Sequence, residues 1–481
     1  MEQFKLLIAG EWVGTSRRIE VVNPYDESVI AEVPVAGETE VDAAIAAAEA
    51  GFAAMRTLPA HARASILNRC ADLVDAHAAE LASTIIAESG KPRRYAEAEV
   101  GRAVMTLRWA AGEAERIHGE TVPMDSSPGS EHRRGFFIRV PLGVIAAITP
   151  FNFPLNLVVH KLAPAIAAGN SVVLKPASAT PLTALKLGEL LLEAGLPPAA
   201  LNIVVGPGSA AGNALVRDAR IRLVTFTGSA PVGETIRRES GLKRTTLELG
   251  SNSGAIVDET ADIETAVSRC LLGAFAFSGQ VCNHTQRLYL HRAIAADFSA
   301  QLIARARRLV CGNPASPETE VGPLISRAAL SSVLGMIDEA RAAGASIACG
   351  GMPAGTILPP TVLLDVTPEM KVVCEETFGP TCTIETFTEF DEAIGRFNEG
   401  SRMGVWDYGL AAGVFTRDVT RALRAAEELE VGSVYINDSA TFRVDFQPYG
   451  GVKDSGTGRE GPRFAIEEMT DIRMVSFHLD G

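Results

Sequence analysis

The sequence predicts an α/β fold built on parallel sheets, and three observations predict it. From residue 138 onward, strand-like runs alternate with helical ones. The runs are continuous in Val, Ile and Leu, which requires a sheet covered on both faces. Several end in a glycine-bearing turn where a helix begins, as in "FTGSAPVG". With 481 residues, 47% of them hydrophobic, the chain has material for roughly two or three domains.

The first 25 residues read as short strands: "KLLIAGEWV", turning at Gly10, then "IEVVNPY", closed by Pro24. Val41 to Ile117 is helical, with alanine-rich segments such as "VDAAIAAAEAGFAAM" repeating apolar residues at helical spacing. "GETVPMDSSPGSEHRRGFF" interrupts the helices as a loop or an excursion to another subunit. The parallel unit then runs "VIAAIT", "SVVLKP", "LNIVVG", "LVTFTG" and "RTTLELG", separated by helices such as "LNLVVHKLAPAIAAG" and "TALKLGELLLEAG". A second alternation from about Ile256 to Ser433 holds "AIVD", "RLYLH" and "VGSVYIN". The last stretch, "EEMTDIRMVSFHLDG", alternates apolar residues as an edge strand does.

The net charge of −14 and the absence of a Lys/Arg-rich run argue against a nucleic-acid surface. Seven scattered cysteines without a C-x-x-C predict reduced thiols, no disulfide framework and no metal site, with six of the seven serving as buried filler. The N-terminal segment lacks the pattern of a secretory signal and no apolar run suits a membrane span, so a cytoplasmic protein is expected.

Ligands of parallel α/β sheets bind at the carboxyl ends of strands, which is where the reactive residue types fall. Gly206, Gly208 and Gly212 form G-x-G-x-x-x-G, one residue longer than the usual dinucleotide fingerprint. Gly228-Ser229 opens a second such turn, suited to an anion at a helix N-terminus. Asn152 in "TPFNFP" suits either an oxyanion donor or a helix cap. Lys175 ends a strand, where it meets a nucleotide or only solvent. Glu248 ends "TTLEL"; desolvation there would raise its pKa toward that of a general base, unless it is salt-bridged. Cys282 stands in "FSGQVCNHTQR", a polar, backbone-permissive setting unlike that of any other cysteine in the chain, and suited to a nucleophile.

Together these motifs resemble the aldehyde dehydrogenase superfamily, in order and over nearly the whole chain, most closely its lactaldehyde and phosphonoacetaldehyde dehydrogenase-like branch. "TPFNFP", "KPA", "FTGS", "LELG", "FSGQVCNHTQR", "EETFGP" and "PYGGVKDSGTGREG" carry the likeness. The resemblance implies a Rossmann-type cofactor domain (1–118 and 138–247), an α/β catalytic domain (248–446) and a small β oligomerisation extension (119–137 and 464–481). It implies NAD or NADP as cofactor, a homodimer or homotetramer, and a small aldehyde as substrate. Cys282 would be the nucleophile, Asn152 the oxyanion donor and Glu248 the base. Thr149, Pro150, Lys175, Ser178, Gly208, Gly228, Ser229, Leu249, Glu376 and Phe378 would hold the cofactor. A transfer of the acyl group to coenzyme A, or a catalytically silent relative, are the rival readings.

Two departures stand out. "SNSG" follows "LELG" where many members have Gly-Lys or Gly-Asn, and the residues alone give no reason for it. Ser178 stands where many NAD-using members carry Glu, which admits NADP. By position, Arg102, Asn156, His160 and Arg443 would wall the substrate tunnel. Two arginines there suit a short aldehyde with an anionic or polar tail: phosphonoacetaldehyde, sulfoacetaldehyde, succinate semialdehyde, glyceraldehyde 3-phosphate or lactaldehyde. The alternative is that both pair with acidic neighbours such as Glu99 and Asp445.

Overall fold

The Val/Ile/Leu runs between residues 138 and 250 become five parallel strands in a computed structural model that describes residues 2–400 and 402–479. Their order is Arg244–Glu248, Ile221–Thr227, Val144–Ile148, Ser171–Lys175, Leu201–Ile203. Nearly every residue of these strands is buried, as continuous apolar strands covered by helices must be. The N-terminal strands Leu6–Ile8 and Glu11–Val13 add an antiparallel edge on one side. On the other, Gly456–Thr457 returns from late in the chain to pair antiparallel with Arg244–Glu248. Helices Glu38–Met55, Ala60–Ala76, Ala78–Ser89 and Arg93–Ala114 occupy the N-terminal helical region.

From Val144–Ile148 the chain first adds strands on one side, then crosses to Ile221–Thr227 on the other. Such a reversal opens a crevice at the carboxyl ends of the two central strands. Thr149–Asn152 and Gly228–Ser229 are the residues that leave those ends. The extra residue between Gly208 and Gly212 is taken up in a π-helical turn, Gly208–Gly212, ahead of the helix Asn213–Arg217.

The second alternation forms a seven-stranded sheet in the order Ser346–Cys349, Thr361–Leu364, Thr381–Phe387, Arg287–His291, Gly254–Val257, Ala411–Phe415, Ser433–Ile436. Only its first pair is antiparallel. The extension is a three-stranded sheet of Thr470–His478, Arg133–Pro141 and Thr121–Val122. Arg133–Pro141 runs straight through the boundary expected at 138. Of the closing segment, Pro462–Glu468 is a helix packed on Asn156–Ala168. No helix is long and apolar enough to cross a membrane among the described residues. Five cysteines are buried, but Cys311 is exposed, which corrects the expectation of six buried ones.

Candidate active site

Cys282 reaches its place through an unusual turn. After the helix Ile263–Phe275, Phe277 (φ 47), Ser278 (φ 55) and Gly279 (φ 68) take left-handed conformations in succession. A Cβ on Gly279 would fall 2.0 Å from the Gly379 carbonyl oxygen, so only glycine fits. The turn brings Cys282 into the wall of two cavities at once. One, of about 330 Å³, is lined by Asn152, Gly228, Leu249, Glu376 and Phe378. The other, of about 210 Å³, is lined by Arg102, Phe153, Asn156, Arg443 and Tyr449. Burial pushes the Cys282 thiol up to about 11, against the pull of the Tyr449 hydroxyl and the Arg443 cation.

Asn152 is not a helix cap. The N-terminus of Asn156–Ala168 is capped from elsewhere, by Glu99, whose carboxylate accepts the N–H groups of Leu155 (2.9 Å) and Asn156 (3.1 Å). The Asn152 amide instead donates to the Gln280 carbonyl at 2.9 Å, holding it beside the Cys282 loop. Glu248 is buried with both carboxylate oxygens unpartnered. Desolvation, reinforced by the neighbouring Glu460 charge, holds its carboxyl well above the usual carboxylate range. A salt-bridged or surface Glu248 is thereby excluded.

The larger cavity lies in the crevice of the first sheet. Pro150, Gly228, Ser229, Leu249, Glu376 and Phe378 line it together. Ser229 stands at the N-cap of the ten-residue helix Ala230–Glu239, whose free N–H groups favour an anion. Phe151 meets Phe378 edge-on at 5.9 Å. Burial raises the Glu376 carboxyl to about 7 although it accepts the Ser251 N–H at 2.9 Å. Thr149, Lys175, Ser178 and Gly208 lie outside this cavity. Lys175 and Ser178 gather along the glycine-rich turn: Ser178 donates to the Gly206 carbonyl at 2.9 Å, and the Lys175 stem borders Gly212. Burial lowers the Lys175 ammonium to about 8. The hydroxyls of Thr149 and Thr227 are buried without partners. An anion-ready helix end, two orphaned hydroxyls and a desolvated lysine and glutamate form a donor and acceptor set that fits a dinucleotide.

The smaller cavity is lined by Arg102, Asn156 and Arg443; His160 lies behind them, which corrects its expected place in the wall. Both arginines are already paired. Arg102 forms a two-pronged contact with Asp445 at 2.7 and 3.0 Å. Arg443 donates to Glu460 at 3.0 Å, and its Nη2 lies 3.1 Å from the His160 Nε2 that donates to Asp445. Asp445 also accepts from Asn156 (3.1 Å) and His160 (2.9 Å). Lys161 meets Glu460 at 3.2 Å, and Lys91 pairs with Glu99. Glu248 lies close enough to this network to feel Glu460, Lys161 and Arg443. The Nε of Arg443 is buried and makes no hydrogen bond; Asp445 lies 3.9 Å from it.

Sequence reasoning gave no role to Tyr449, Ser251, Glu460, Lys161 or Lys91. Tyr449 lies in a quoted motif, "PYGGVKDSG", which was the available signal for it. The Ser-Asn-Ser departure now has a physical reason. Ser251 donates its hydroxyl to the Cys282 carbonyl at 2.5 Å, and Ser251 and Ser253 share a hydrogen bond of 2.8 Å. Asn252 donates to the carbonyls of Val373 (3.1 Å) and Cys374 (3.2 Å), just before Glu376.

The aldehyde dehydrogenase family model matches residues 12–475. A 3-sulfolactaldehyde dehydrogenase of Priestia aryabhattai is 45% identical over 479 residues, covering 100% of this chain and 99% of that one. Aldehyde dehydrogenase 21 of Physcomitrella patens, solved with the reaction product succinate, superposes with a TM-score of 0.95 at 36% identity, covering 99% of this chain and 98% of that one. The NADP-dependent glyceraldehyde-3-phosphate dehydrogenase of Bacillus halodurans, solved with NADP, gives a TM-score of 0.96 at 35% identity, with 100% of both chains covered. With its motifs matched in order and its architecture shared end to end, the chain belongs to the aldehyde dehydrogenase family.

Proposed function

We propose that this NAD(P)-dependent aldehyde dehydrogenase oxidises a short aldehyde with an anionic or strongly polar tail to its carboxylic acid. The observation that carries the reading is the position of Cys282, shared by the wall of the small charged cavity and the wall of the dinucleotide-sized one. An aldehyde in the small cavity presents its carbonyl carbon to Sγ. The thiolate attacks, the S–C bond forms, and the carbonyl electron pair moves to oxygen. The Asn152 amide and the Cys282 backbone N–H receive that oxyanion. The cavity of Gly228, Ser229, Leu249, Glu376 and Phe378 would hold a nicotinamide nucleotide beside Cys282, where it would supply the acceptor for the hydride that leaves the thiohemiacetal carbon as the thioester forms. Glu248, desolvated and free of hydrogen bonds, takes a proton from the water that hydrolyses it.

The charge balance supports an anionic tail. Lys91, Arg102 and Arg443 line the small cavity against the single carboxylate of Glu99, and the Arg443 Nε makes no hydrogen bond. The relatives' own substrates and products, 3-sulfolactaldehyde and succinate, are anionic as well. Ser178 leaves room for a 2′-phosphate, so NADP is accepted alongside NAD. Glu248 favours hydrolysis over transfer to coenzyme A.

The test is a screen of phosphonoacetaldehyde, sulfoacetaldehyde, 3-sulfolactaldehyde, succinate semialdehyde, glyceraldehyde 3-phosphate and lactaldehyde. Each is mixed with NAD or NADP, with and without coenzyme A, following reduced-nicotinamide absorbance and the identity of the product. Free acid as the product, independent of coenzyme A, is expected. Normal turnover by Cys282→Ala would sink the mechanism, and acyl-thioester as the sole product would establish the acylating rival.

A further inference from the structure

The Cys282 thiol has a polar neighbour that the scheme above does not use. Tyr449 Oη lies 3.0 Å from Cys282 Sγ. Tyr449 is buried, and both its backbone and one face of its ring are held. Its backbone exchanges hydrogen bonds with Glu460 (3.1 and 2.7 Å), fixing the strand-like bridge on which it sits. The Arg443 guanidinium lies 3.9 Å from the ring centroid, on its face. That guanidinium is itself anchored by Glu460, to which it donates at 3.0 Å. The tyrosine cannot swing away from the sulfur without breaking this set.

We propose that the Tyr449 hydroxyl donates its hydrogen bond to Cys282 Sγ and stabilises the thiolate, with the Arg443 cation polarising the ring from its face. The proposal rests on Cys282 being the nucleophile and adds a catalytic residue to it. The direction of the bond follows from acidity. Burial, with the Cys282 and Glu248 charges adding to it, holds the Tyr449 phenol well above its ordinary range. The phenol therefore keeps its proton while the thiol titrates, and against a thiolate it can only donate. When the thiol ionises its proton goes to solvent, and the O–H···S bond becomes charge-assisted. Once the sulfur is acylated it no longer carries charge and the bond weakens, so the stabilisation is confined to the attacking state. The other charged groups facing the sulfur are Arg443, which favours the thiolate, and Glu248 and Glu376, which oppose it when ionised. A cation on an aromatic face draws electron density from the phenol, which makes it a stronger donor.

The experiment reads the free enzyme without aldehyde or nucleotide. Alkylation of Cys282 by iodoacetamide is followed by mass spectrometry from pH 7 to 10, in wild type and in Tyr449→Phe, which removes only the hydroxyl. In the proposed arrangement Tyr449→Phe alkylates about tenfold more slowly at each pH, the equivalent of about one pKa unit. Site-specific replacement of Tyr449 by 3-fluorotyrosine, a stronger donor of nearly the same shape, accelerates it. Equal rates within about twofold, or faster alkylation of Tyr449→Phe, overturn the proposal. The fluorotyrosine arm decides the matter if Tyr449→Phe folds poorly. Loss of aldehyde oxidation in Cys282→Ala is measured separately. If that variant is inactive and Tyr449→Phe alkylates normally, only this inference fails; if Cys282→Ala turns over normally, the underlying mechanism fails.

Discussion

Ser251 ties Cys282 to Glu376: its hydroxyl donates to the Cys282 carbonyl at 2.5 Å while its own N–H donates to the Glu376 carboxylate at 2.9 Å. One residue thus sets the distance between the Cys282 backbone and a carboxylate of the larger cavity. Ser251→Ala should leave the Cys282 carbonyl short of a donor, at a cost of about 1–3 kcal/mol. The expected outcome is a lower melting temperature together with a drop in kcat of about tenfold or more. Steady-state kinetics and thermal unfolding on one preparation check it, and an unchanged kcat would mean that the bond does not position the nucleophile.

Glu248 offers a pH signature. Its native carboxyl titrates above the usual range, whereas the unfolded value lies near about 4.3. Between those values the folded protein binds the extra proton, so Glu248 makes stability fall as pH rises through that window. Glu248→Gln removes the penalty. It should melt higher than wild type at pH 8, with the difference vanishing below about pH 4. Its steady-state kcat should fall by about a hundredfold or more, with a retained burst of reduced nicotinamide, because acylation survives and hydrolysis does not. Loss of the burst as well would assign Glu248 to an earlier step.

Arg102 tests the anion preference. Although burial works to raise it, Asp445 is held far below the usual carboxylate range by its bonds from His160 and Arg102. Its contribution to stability is present above the unfolded value near about 3.9 and is lost as pH falls through the native one. Arg102→Leu weakens that contribution, so the variant should melt lower at neutral pH and converge on wild type in acid. If the guanidinium also meets the substrate tail, kcat/KM for anionic aldehydes should fall at least about tenfold more than for neutral ones. Equal losses would leave Arg102 as a brace for Asp445 alone.

Ser178 bears on the nucleotide. It lies half-buried beside Gly206, with no charge to repel a phosphate. Ser178→Glu should raise KM for NADP by about tenfold or more through like-charge repulsion, while KM for NAD changes little. Measuring both constants with one aldehyde decides it; equal shifts would place the 2′ position elsewhere.

What the sequence disclosed is what depends on neighbours along the chain. The apolar strands, the glycine turn at Gly228 and the cysteine loop are local patterns, and they fold where their periodicity says. The charged network is different. Arg102 and Asp445 are 343 residues apart, and nothing in either segment says that one will neutralise the other. His160 shares a helix with Asn156, but only the packed structure shows that Asn156 borders the cavity and His160 does not. Ser251 likewise reads as an unexplained departure until the carbonyl it meets, on a loop 31 residues later, is in place.

The stretch from Asp445 to Glu460 has a consequence for biosynthesis. It supplies Asp445, Tyr449 and Glu460, and also Gly456–Thr457, whose Gly456 pairs with Glu248. Synthesis lays down Cys282 and Glu248 more than 150 residues ahead of these partners, so the charged network closes only when the later stretch packs back onto both sheets.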